Sequence, residues 1–148
     1  MCLIVDVNIA HKVLISKDDS DFFPVREALF TTKKPPATLV YGGKLYIENT
    51  NRECRLAIQE LDRAGRTRLI SSMKIEAEVL KLEELRLCRS NDIHILALAR
   101  VANVRLLCSQ DEALAKDFTS KEIIDKPRGN VYRKASHHRL IVKHCKNK

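Results

Sequence analysis

Four carboxylates, Asp6, Glu48, Asp92 and Asp111, lie far apart in this sequence yet occupy similar places in its pattern. Asp6 directly follows the apolar run CLIV, and Asp111 follows VRLLC after Ser109 and Gln110. Glu48 comes after ATLVY and a Gly-Gly pair, and Asp92 heads the apolar stretch DIHILALARVA. Acids gathered at the ends of buried strands repel one another, raising pKa values and destabilising the fold. A hard divalent cation that prefers oxygen ligands, Mg2+ or Mn2+, offsets that repulsion. The chemistry such a set offers is the binding of a divalent ion by oxygen ligands. Each acid also has an ordinary explanation. On spacing alone Glu48 reads as a solvated helix residue like Glu53 and Glu60. Asp92 suits the positive end of a helix dipole, and Asp111 suits an N-cap.

The elements that would position these acids follow from apolar periodicity. Residues 2–5, 37–41 and 104–108 read as short buried strands, 67–71 as a third strand or an extended connection, and 122–132 as a last short strand with a turn. Residues 7–15 are compatible with a helix. A helix is expected from the Gly42-Gly43 pair to about Ala64, with Cys54, Ala57, Ile58 and Leu61 on its core face and Gly65 as its stop. Another carries Ile75, Val79, Leu82 and Leu85 along one side. Residues 92–102 are apolar on nearly every helical face, so that helix should be buried on nearly every side. Residues 16–36, punctuated by prolines, read as irregular. Short strands alternating with helices argue for a parallel α/β sheet covered on both faces. In such sheets sites form at the carboxyl ends of the strands, where Asp6 and Asp111 fall.

Composition bounds the rest. With 148 residues, 45% hydrophobic and 31% charged, the chain is expected to be one globular domain, neither disordered nor fibrous. Its core is expected over about residues 1–125, with a basic extension at 126–148. That segment holds eight Lys or Arg and no acid; the other 19 of the 27 basic residues face all 19 acids. The net charge of +8 therefore belongs to the segment, which suits a polyanion such as nucleic acid, with Arg128, Arg133, Lys134 and Arg139 as candidate contacts. The run SHHRLIVKHC reads as basic surface, not as a metal site. No apolar run reaches membrane-span length, so no membrane partner is expected. The five cysteines are odd in number and lack CxxC spacing, which argues for reduced thiols in a cytoplasmic setting and against zinc.

Taken together, LIVDVN, the Glu of YGGKLYIEN, NDIHILALA and LLCSQDEALAKDF resemble the PIN-domain family of nucleases. The resemblance covers roughly residues 1–118. It implies a three-layer α/β/α fold with a central, mainly parallel sheet, and it moves Glu48 from a solvated residue to a site residue. The activity it implies is that of a metal-dependent ribonuclease using Mg2+ or Mn2+ bound by Asp6, Glu48, Asp92 and Asp111. Asn8 and Ser109 are then expected to hold carboxylates by hydrogen bonds, with Asp117 as a further supporting candidate. His94 is expected to be a part-buried histidine satisfied by a backbone carbonyl. The implied partners are RNA, a second copy of the chain, and an antitoxin or other protein if the nuclease is the toxin of such a pair. The competing expectation is a non-catalytic PIN-like module that binds nucleic acid or a partner. The long region 16–36 and the basic segment depart from the small toxin members.

Overall fold

In the computed structural model, which describes residues 2–31, 37–43 and 50–145, five short strands run parallel. They are β1 (Ile4–Val5), β2 (Leu39–Gly42), β3 (Thr67–Ile70), β4 (Leu106–Cys108) and β5 (Asn130–Tyr132). β1, β4 and β5 form one ladder and β2 and β3 another. A bridge at Leu3 and Leu39 joins the two, where Val40 N–H donates to Leu3 O at 2.8 Å and Leu3 N–H to Thr38 O at 3.2 Å. The spatial order is therefore β3-β2-β1-β4-β5, with β1 at the centre.

Strand alternation divides the apolar residues between two cores. Leu3, Val5, Leu39, Leu106, Cys108 and Tyr132 face one core; Ile4, Val40, Ile70 and Leu107 face the other. Against the first pack α1 (Ala10–Leu14), α2 (Phe23–Phe30), α3 (Arg52–Arg63) and α7 (Arg139–Cys145). Against the second pack α4 (Ser72–Leu85), α5 (Ile93–Ala102) and α6 (Glu112–Phe118). The sorting has a physical cause. Crossovers between parallel strands are right-handed, so when the strand order reverses from β3 to β4 the helices must change face. The expected α/β class with parallel strands and helices on both faces is what the chain adopts. The α5 helix is the one expected to be buried all round, and Ile95, Leu96, Ala97, Leu98, Ala99 and Ala102 are buried in it.

Several boundaries differ from the sequence expectation. The segment 16–36 is not irregular throughout, because residues 23–30 form α2, which Pro24 starts by occupying the first turn, where its missing N–H costs nothing. The α3 helix begins at Arg52, where Asn51 is extended and its side chain accepts the Cys54 N–H at 2.8 Å, and the part of the expected helix at residues 44–49 lies outside the described residues. Its expected core face, Cys54, Ala57, Ile58 and Leu61, is buried. Leu85 is exposed, leaving Ile75, Val79 and Leu82 as the core side of α4.

The proposed core limit at about residue 125 is also corrected. β5 completes the sheet, and α7 buries Ile141 and Cys145, so the basic segment is woven into the fold up to residue 145. The reduced-thiol reading fails for one pair: Cys2 and Cys145 form a disulfide, with Cα atoms 4.7 Å apart, because α7 returns to the strand that starts the chain. Cys54, Cys88 and Cys108 are free. Among the described residues no helix is long and apolar enough to cross a membrane.

Gly129, which leads into β5, tests this closure. A Cβ there would run into the carbonyl oxygen and ring of Phe118. Gly129→Ala is expected to lower stability by about 2 kcal/mol or more through overpacking. In urea unfolding this should appear as a lower midpoint at unchanged slope.

Candidate functional site

The strand order reverses between β1 and β4, and a crevice at the carboxyl ends of a parallel sheet opens at such a point. Asp6 ends β1 there, its N–H donating to Cys108 O at 2.9 Å to extend the ladder by one rung. Its side chain is only 2% exposed. Oδ1 accepts the backbone N–H of Asn8 at 3.1 Å, and Oδ2 accepts the Ser109 hydroxyl at 2.8 Å. The Ser109 Oγ in turn accepts the Asp111 N–H at 3.1 Å. One buried hydroxyl thus locks the carboxylate of β1 to the turn that follows β4. Ser109 acts on Asp6, as expected of a residue that holds a carboxylate. Asn8 contributes its backbone N–H to Asp6 and is among the residues that line the crevice.

Asp111 caps α6, with Oδ1 accepting the Leu114 N–H at 3.1 Å. Asp92 sits at the N-cap position of α5 but makes no capping bond, and its carboxylate accepts no hydrogen bond from a described residue. Burial raises its pKa, the charges of Asp6 and Asp111 raise it further, and His94 pulls it down. These three acids therefore share one electrostatic field. The crevice, of about 410 Å³, is lined among others by Asp6, Asn8, Gly42, Gly43, Asp92 and His94. Asp111 stands at its side, not in its lining. Glu48 lies outside the described residues.

Asp117 does not join the three acids. It is 2% exposed and takes the backbone N–H of Arg89 on both oxygens, at 3.0 and 2.9 Å, and that of Ser90 at 2.8 Å. It is thus the anchor of the loop that delivers Asp92, because its carboxylate holds the backbone of residues 89–90 just before α5. His94 lines the crevice and stands 3.4 Å from Glu76, so its partner is a carboxylate and not the expected backbone carbonyl. Among the described residues, no group of three or more His, Cys, Asp or Glu stands close enough to hold a metal ion in common. The three acids repel across the crevice without forming a finished cage. Oxygen donors of this kind suit Mg2+ or Mn2+, and the half-buried Asp92, without a hydrogen-bond donor among the described residues, is the group such an ion would neutralise.

The basic candidates separate by sheet edge. Arg133 and Lys134 follow β5 at the same carboxyl edge as the acids. Arg128 lies at the opposite edge, its Nε–H donating to Thr119 O at 2.8 Å, which makes it part of the fold. Arg139 is exposed at the start of α7. Lys12 and Gln110 at this edge were not singled out in the sequence, and His137 was weighed there only as basic surface. Lys12 Nζ donates to Gln110 Oε1 at 2.9 Å, and His137 Nδ1 accepts the Arg133 N–H at 3.1 Å. Gln110 had one usable signal, its place between Ser109 and Asp111. Lys12 had none, and His137 had only its place in the basic run SHHRLIVKHC. In the SHHRLIVKHC run, His144 contacts Asn130 at 2.8 Å and Cys145 is in the disulfide. Compared with models of known protein families, with curated proteins and with solved structures, the chain has no match.

The raised pKa of Asp92 has a signed consequence. The folded state binds this proton more tightly than the unfolded chain. The associated stability is therefore fully present below the ordinary Asp value of 3.8 and is lost as pH rises through the raised folded value. In metal-free, low-salt buffer Asp92→Asn is expected to be more stable than wild type at neutral pH. The gap should close as pH falls towards 3.8. Denaturation midpoints across that range, in EDTA, check it.

Proposed function

We propose that this protein is a PIN-like, metal-dependent ribonuclease that hydrolyses RNA phosphodiester bonds at the carboxyl edge of its sheet. The observation that carries this reading is the half-buried Asp92 carboxylate, which accepts no hydrogen bond from a described residue, in the field of Asp6 and Asp111, at the point where the strand order reverses. An idle charge there lowers stability for no structural return, whereas a divalent cation turns the repulsion into binding. Asp6, Asp92 and Asp111, with Glu48 from the resemblance, are the residues that would hold Mg2+ or Mn2+. The chemistry such an ion supplies when bound is activation of water and neutralisation of phosphoryl charge.

The protein's own groups have distinct tasks in this reading. Ser109 and the Asn8 backbone fix the rotamer of Asp6, so both its oxygens keep their direction when substrate arrives. Asp117 fixes the loop that aims Asp92. Arg133 and Lys134 bring positive charge to the same edge, against which the RNA backbone is held. Water adds to phosphorus as the bond from phosphorus to the ribose oxygen breaks. The choice of RNA follows the resemblance, as do a toxin role with an antitoxin partner and self-association into a homodimer.

A non-catalytic binding module is the second reading, favoured by the lack of a preformed ligand cluster among the described residues. Labelled single-stranded RNA incubated with Mn2+ or Mg2+ separates the two. Wild type is expected to cut, Asp6→Asn and Asp92→Asn to lose cutting, and Ser109→Ala to lose roughly 10–100-fold, as carboxylate-orienting partners usually do. A folded wild type that cuts no RNA under either ion favours the module. Equal cutting by the Asn variants contradicts the proposed site.

A further inference from the structure

Beside the acidic crevice, across β4, lies a second concavity of about 430 Å³ lined by Asp21, Gln110, Arg133, Lys134 and His137. Its donors converge from three elements. Arg133 and Lys134 leave the end of β5. Gln110 sits between Ser109 and Asp111, its amide oxygen fixed by Lys12 Nζ at 2.9 Å, which leaves the amide NH2 to donate. His137 accepts the Arg133 backbone N–H on Nδ1 at 3.1 Å, so in the neutral ring the proton is on Nε2, a donor. Burial lowers the pKa of His137, and the charges of Lys134 and Arg133 lower it further, which keeps that neutral tautomer. The ring also stands edge-on to Tyr132, with centroids 6.2 Å apart, and Tyr132 is fixed by its hydroxyl bond to Asp21 O.

The charge balance of the concavity is positive. Asp21 is the one acid in its lining, and its Oδ1 is turned to the Ala135 N–H at 3.4 Å. Glu112 touches the Arg133 guanidinium at 4.0 Å, but its side chain is 80% exposed and yields readily to a better anion. The Lys134 ammonium makes no ion pair with a described residue. Neighbouring strands lie about 4.8 Å apart, so this cluster is roughly 10 Å from Asp6, two strand spacings away.

We propose that this concavity is a phosphate subsite. It holds a backbone phosphate of single-stranded RNA next to the one presented to the acids, with Arg133 and Lys134 supplying charge and Gln110 and His137 supplying oriented N–H donors. The inference rests on the ribonuclease reading for its substrate, but not on cutting. It gives the RNA a direction of travel, across the end of β4 from β5 to β1.

Fluorescence anisotropy of a short labelled single-stranded RNA with the full-length protein, in EDTA and over a salt series, tests it. Arg133→Ala with Lys134→Ala is expected to weaken binding about tenfold or more and to flatten the slope of log K against log salt by about 0.7, the value for one phosphate on a single strand. The charge-matched control, Arg63→Ala with Lys121→Ala at the opposite edge, should change affinity far less. Lys134→Ala alone removes only an exposed side chain, so folding is preserved, and it should weaken binding several-fold. Unchanged binding in the double variant or in Lys134→Ala overturns the subsite. An equal loss in the control pair overturns it too, by making the attraction diffuse. A protein that binds through Arg133 and Lys134 but never cuts supports the subsite while refuting the ribonuclease reading.

Discussion

The hydrogen bond from the Ser109 hydroxyl to the buried Asp6 carboxylate is the contact on which this site depends. It joins residues 103 positions apart at the junction of β1 and β4. A carboxylate that is 2% exposed would be costly if left to itself, and the hydroxyl together with the Asn8 N–H lowers that cost by charge-assisted bonding. Because Ser109 also accepts the Asp111 N–H, the same oxygen sets the start of α6. The position of α6 then sets Asp117, and Asp117 sets the loop before α5 that carries Asp92. Three acids from three elements are thus held in one field by a single chain of bonds.

The fold around this chain is a consequence of handed crossovers. With β1 central, the first crossovers put α1, α2 and α3 on one face, and the reversal to β4 puts α4, α5 and α6 on the other. The reversal leaves the edge between β1 and β4 uncovered, and this is where charge can reach solvent. The last helix returns to the first face and is tied by Cys2–Cys145 to the strand that began the chain. The basic segment serves two purposes at once: Val131 and Tyr132 extend the cores, while Arg133 and Lys134 reach the open edge.

Much of this was legible in the residues. CLIV, ATLVY and VRLLC have the apolar runs of doubly covered parallel strands, and DIHILALARVA has no polar face to expose. Asp6 and Asp111 were found because a strand's carboxyl end is a position that local pattern can locate. What stayed hidden depended on distant partners. FFPVREALF was read as part of an irregular region and is instead a helix with Pro24 in its first turn, a distinction set by what α2 packs against. The apolar residues of β5 and α7 are thinly spaced among lysines and arginines, so the segment read as an appendage. The partner of Cys2 could not be chosen from five cysteines by spacing. Asp117 looked like a neighbour of the site on its own helix, but its role is decided by a loop 27 residues away.

The account stands on the claim that the repulsion among Asp6, Asp92 and Asp111 exists to receive a divalent cation. Electron paramagnetic resonance of free aqueous Mn2+, titrated with protein at neutral pH, measures this without reference to any substrate. The account predicts that wild type depletes the free-ion signal and that a folded Asp92→Asn protein leaves it largely intact. A signal untouched by wild type, or depleted equally by both proteins, would contradict it.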